Sequence, residues 1–119
     1  KNAHGGKGDI LFRRCWDKDS FTTNWEFVDH CILPPGTSIG YHQHNMIEEV
    51  YFLVSGSGRA TVNDVTWDVK AGDAIPCTSG DSHGLYNNSD KEIELVVFSA
   101  AKEKGKRNEK DWGDDLSNR

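Results

Sequence analysis

Gly36-Thr37-Ser38-Ile39-Gly40-Tyr41-His42-Gln43-His44-Asn45-Met46-Ile47-Glu48-Glu49 runs directly into Val50-Tyr51-Phe52-Leu53-Val54-Ser55-Gly56. His42 and His44 stand two residues apart, so on a strand both side chains point to one face. Glu49 lies five residues beyond His44, an odd step that an unbroken strand turns to the opposite face. A turn or bulge within Asn45-Met46-Ile47 is therefore expected to reset the phase. Past it, Glu49, Tyr51 and Leu53 share one face, and Val50, Phe52 and Val54 share the other. Beyond the acid both faces are apolar, so one is expected against the core and the other against a second sheet or subunit.

Working outward, a related cluster follows: Gly72-Asp73-Ala74-Ile75-Pro76-Cys77-Thr78-Ser79-Gly80-Asp81-Ser82-His83, ending Gly84-Leu85-Tyr86-Asn87. Ser79 to Ser82 is a loop signal, and His83 stands just after it. Imidazole nitrogens with a carboxylate oxygen suit one divalent transition metal: Fe, Mn, Ni, Co or Zn. Ligands drawn from distant strands need a fold that brings them together, such as a small barrel.

The remaining segments read as short strands. Ile10 to Trp16 is one, and Asn24 to Leu33, stopped by Pro34-Pro35-Gly36, is a longer one. Its alternation puts Trp25, Phe27, Asp29, Cys31 and Leu33 on the more apolar, inward face. An inward Asp29 is either a general base with a raised pKa or the partner of a backbone amide or an arginine. Asn63-Asp64 marks a two-residue hairpin, and Pro76 marks an edge strand. Glu92 to Ser99 is a closing strand. Many short strands with frequent turns and no helical period indicate an all-β single domain over residues 1–119, with a core at about 24–100. Residues 1–9, which include His4, are expected to form a flexible arm. Residues 101–119, lysine-rich and carrying Trp112, are expected to form a charged, solvated tail or short helix.

The two clusters resemble the paired signature motifs of the cupin superfamily. The first matches G-x5-H-x-H-x4-E-x6-G from Gly36 to Gly56. The second matches G-x5-P-x-G-x2-H-x3-N from Gly72 to Asn87, with Thr78 in place of the usual proline. That departure touches a turn, not a ligand. The resemblance implies a double-stranded β-helix, a jelly-roll barrel, with metal ligands His42, His44, Glu49 and His83. Glu48 also satisfies the motif spacing; the six residues that separate Glu49 from Gly56 favour Glu49.

The resemblance further implies a metal-dependent enzyme acting on a small oxygenated molecule by cyclisation, isomerisation, decarboxylation or dioxygenation. The alternative is a metal-assisted small-molecule binder or sensor without turnover. Tyr51 and Asp29 are the expected catalytic groups, and Trp25, Phe27, Leu53 and Tyr86 the expected substrate wall. Gly5-Gly6-Lys7-Gly8 and Leu33-Pro34-Pro35-Gly36 look most like small polyketide-cyclase-like or sugar-isomerase-like cupins. A homodimer is expected.

Composition narrows the partners. The 119 residues carry a formal net charge of −5, which argues against nucleic acid and gives no attraction to membrane surfaces. No apolar run approaches the ~18 residues of a membrane span, and no leader-type segment is visible. Cys15, Cys31 and Cys77 form no close pair, so a reducing, cytoplasmic setting is expected. Cys77, beside the second cluster, is expected to be a buried, inert thiol.

Overall fold

The computed structural model describes residues 2–103 and 107–119. Its strands are β1 (Leu11–Asp17), β2 (Trp25–Leu33), β3 (Ser38–Asn45), β4 (Ile47–Ser55), β5 (Ser57–Val62), β6 (Val65–Lys70), β7 (Ala74–Cys77), β8 (Ser82–Tyr86), β9 (Ile93–Ala101) and β10 (Asn108–Asp111). They form two five-stranded sheets, ordered β1-β2-β9-β4-β7 and β10-β3-β8-β5-β6. Every pairing is antiparallel. This is the expected jelly-roll barrel, with the inner faces of both sheets enclosing Leu33, Leu53, Leu85, Ile93 and Leu95.

Turn chemistry matches the local sequence. Asn63 and Asp64 both adopt positive φ (48° and 67°), the pair of left-handed residues a tight hairpin requires. Pro76 lies on β7, at a sheet edge, where its missing N–H costs no ladder bond. Asn87, fully buried, donates to the carbonyls of Leu33 and Lys91 and accepts from Ser89. The motif asparagine therefore ties strand ends together, away from the ligands.

The chain corner at Met46 is the expected phase reset. Met46 takes φ 73° between β3 and β4, and the two strands belong to different sheets. Past it, Ile47, Glu49, Tyr51 and Leu53 are buried, while Glu48, Phe52 and Val54 are exposed. The outer face of β4 is thus left largely open by the described residues.

Three expectations are corrected. Trp25 does not face inward with Phe27. The register of β2 on β9 shifts between these two residues, so Trp25 is 40% exposed and lies beside Phe21 and Phe98 while Phe27 stays buried. Of the expected arm at 1–9, the described residues 2–9 are not loose. Ser38 N donates to Lys7 O at 2.9 Å, Lys7 N donates to Ser38 Oγ, and Gly6 lies against Gly40 so closely that a Cβ on Gly6 would meet Ser38 O at 2.1 Å.

Residues 107–119 are not a solvated tail either. β10 pairs with β3, Trp112 Nε1 donates to Ser82 Oγ at 3.0 Å, and Leu116 is buried against Gly84. The middle of the lysine-rich stretch, 104–106, lies outside the described residues. Among the described residues no helix is long and apolar enough to cross a membrane.

Candidate metal centre and its cavity

β3 carries His42 and His44 on one face, and β8 places His83 directly opposite His42. β4, from the other sheet, supplies Glu49. The four side chains meet between the sheets, all buried, with one ligand atom from each within 4.8 Å of the others. His42 Nε2 lies 2.9 Å from His44 Nε2 and 3.1 Å from His83 Nε2. One Glu49 oxygen lies 3.1 Å from His44 Nε2 and 3.1 Å from His83 Nε2. Atoms bound ~2.1 Å from one ion at right angles stand ~3 Å apart, so this spacing fits a divalent metal.

The charge states agree. His42 Nδ1–H donates to Gly40 O at 2.7 Å, which directs the Nε2 lone pair toward the other ligands. Burial, with the neighbouring imidazoles, holds His42 down to about 2 and lowers His83 as well. Both are therefore neutral, as a ligand must be. Burial opposes ionisation of Glu49, but hydrogen bonds from His44 and His83 outweigh it and keep the carboxylate charged. Glu48 points outward, so the structure separates the two acids whose spacing left both open.

Thr78 is accounted for by its turn. Its backbone N–H, which a proline would lack, donates to Asp81 Oδ2 at 2.9 Å, and its hydroxyl donates to the same oxygen at 2.7 Å. Hydrogen bonds do here what ring rigidity does in the usual motif. Gly80, at φ 92°, then donates to His44 O. Cys77 is buried outside the ligand cluster, its thiol pushed up to about 12 by burial.

Beside the cluster lies a cavity of about 420 Å³. Its floor is buried: His42, Glu49, Tyr51, Cys31, Ile39 and Val97. Its rim is Phe12, Arg14, Arg107 and His4. Tyr51 stacks on His83 with ring centroids 4.4 Å apart, and burial raises its pKa far above the usual phenol value. Asp29 lines the wall but is held by Arg14, Nε to Oδ1 at 2.9 Å and Nη2 to Oδ2 at 3.1 Å. Burial still raises its pKa against the pull of that guanidinium. Of the expected substrate wall, only Phe27 lines the cavity. Leu53 is sealed in the core, Tyr86 lies under Arg59, and Trp25 is outside.

Several lining residues were not singled out from sequence. Arg14 and Phe12 share a face of β1, opposite Asp29 and Cys31 in register, and an inward acid was the available signal for such a cation. Arg107 comes from a segment that sequence assigned to solvent. His4 stacks on His42 at 3.8 Å between centroids and bonds Asp111 through Nδ1 at 2.9 Å. Asp111 and Glu109 stand opposite His42 and His44 on β10.

The fold and ligand set together define a small barrel protein with a metal-type cluster inside. The cupin domain family matches residues 29–99, and the chain belongs to this family. A relative described as an oxalate-binding protein from Thermotoga maritima is 30% identical over 96 residues, spanning 81% of this chain and 79% of the relative. A solved structure from the same species, described as a "predicted oxalate decarboxylase", superposes with TM-score 0.82 at 29% identity, covering 84% of this chain and 87% of that one. An uncharacterized double-stranded β-helix protein from Klebsiella pneumoniae superposes with TM-score 0.71 at 21% identity, covering 87% and 85%, a likeness of fold alone.

Proposed function

We propose that the chain holds one divalent transition metal on His42, His44, Glu49 and His83 and uses it to bind a small carboxylate in the adjoining cavity. The observation that carries this is the convergence of three imidazole nitrogens and one carboxylate oxygen beside a 420 Å³ cavity, whose floor His42 and Glu49 line. A bound metal supplies a Lewis acid for oxygen ligands. The relative described as oxalate-binding supports a carboxylate as the ligand. Three free thiols fit a reducing, cytoplasmic setting. The exposed apolar residues Leu11, Trp16, Phe52 and Val54 fit a homodimer built on the outer face of the β1-containing sheet.

Turnover is the second reading, favoured by Tyr51. Its phenol stays protonated next to Glu49 and lines the cavity, so it is placed to donate a hydrogen bond or a proton to a bound ligand. Asp29 is less available, because both its oxygens already bond Arg14.

Calorimetric titration of oxalate into metal-loaded protein, with carbon dioxide release followed in parallel, tests both. Saturable binding that disappears on chelation supports the metal-dependent site. Release of carbon dioxide that Tyr51→Phe abolishes, with binding retained, adds the enzyme reading. Carboxylate binding that is unchanged by metal removal refutes the proposal.

A further inference from the structure

The cavity is larger and more apolar than a two-carbon dianion requires. At about 420 Å³ it falls in the size range of sites for drug-sized molecules. Ile10, Phe12, Phe27, Ile39 and Val97 supply hydrocarbon from rim to floor. A ligand confined to the metal would leave this wall wet and would gain nothing from it.

Charge narrows the choice further. Among the described residues, both cations of the lining already hold carboxylates of the chain: Arg14 holds Asp29, and Arg107 holds Glu109. His4 likewise holds Asp111. A second, distal carboxylate on the ligand would have to displace one of these partners. The Arg14 guanidinium instead lies over the Phe27 ring at 4.4 Å from its centroid, with Phe12 at 5.6 Å, so the charged rim braces an aromatic wall.

Building on the metal-dependent reading above, we infer that the site is shaped for a monocarboxylate that carries an aryl or branched-alkyl body, probed here by a substituted 2-oxo acid. The head meets the ligand cluster at the floor. The body lies along Phe27, Val97 and Ile39 and reaches Phe12 at the rim. Tyr51, beside Glu49, faces the head. The ligand class therefore differs from oxalate, for which the Thermotoga relative is described.

The test is calorimetric titration of manganese-loaded protein with phenylpyruvate, pyruvate and oxalate. Phenylpyruvate and pyruvate share a head and differ only in the body. Phenylpyruvate is expected to bind about tenfold or more tightly than pyruvate, the gain from burying one phenyl ring. Val97→Phe, which fills the floor, should bring phenylpyruvate affinity close to that of pyruvate. Phe12→Ala, at the exposed rim, should lower phenylpyruvate affinity several-fold even if the floor variant fails to fold. Equal affinities for the two oxo acids, or oxalate binding tightest, overturns this inference and leaves metal-dependent carboxylate binding standing. If none of the three binds, the functional proposal itself falls.

Discussion

Glu48 and Glu49 are chain neighbours with opposite surroundings: one faces out, and the other meets three histidines in a buried cluster. Glu49→Gln should therefore weaken metal binding by about a hundredfold or more, while Glu48→Gln leaves it within a few-fold. Competition with a fluorescent chelator measures both, and equal losses would remove Glu49 from the ligand set. Acid should also loosen the metal-free fold. Folded His42 is held at about 2 and His83 below its ordinary value of 6.5, whereas the unfolded chain takes up protons near 6.5.

The unfolded state then binds more protons, so stability falls as pH drops below about 6.5. Glu49, held below its ordinary 4.5 in the fold, adds to the loss in the same direction at lower pH. Urea unfolding of metal-free protein across this window should show the midpoint falling with pH, and a flat profile would contradict the buried, neutral histidines. The four-residue cluster was legible in sequence because histidine and glutamate at fixed spacing leave few alternatives. The cavity wall was legible only at Phe27, Asp29 and Tyr51 among its residues outside the cluster. Leu53 and Tyr86 are indistinguishable by residue type from residues that do line it, and a single register shift turned Trp25 outward.

At the level of elements, the corner at Met46 was legible because an odd spacing between ligands cannot be met by a continuous strand. The clasp formed by residues 3–8 and β10 was not. Its sequence is polar and glycine-rich, and its contacts are long-range backbone pairings that no local pattern reports. At Gly40 this packing is as tight as at Gly6, since a Cβ there would meet His4 O at 2.1 Å. Gly40→Ala should expel the arm and expose the Lys7–Gly8 bond to trypsin, while the rest of the barrel resists digestion. Undiminished protection of that bond would show that the arm is held by something other than this close approach. Because Gly40 O also bonds His42 Nδ1, weaker metal binding is expected alongside.

For the whole molecule, short and evenly punctuated strands indicated a sandwich or barrel, and the resemblance of the paired motifs narrowed it to the jelly roll that the two sheets form. An apolar outer face remains. Val50 pairs with Phe98, and Phe52 with Val96, across β4 and β9, and Trp16 and Leu11 continue the surface on β1. Sedimentation equilibrium should give a dimer that Phe52→Lys converts to monomer; a monomeric parent protein would leave this face to another partner. The central claim, a metal held by four named residues, is tested most directly by elemental analysis of protein purified without chelator, beside a His83→Ala control. About one Fe, Mn, Co, Ni or Zn per chain, lost in the control, is the expected result. A parent protein that stays metal-free even after incubation with each of these ions would contradict it.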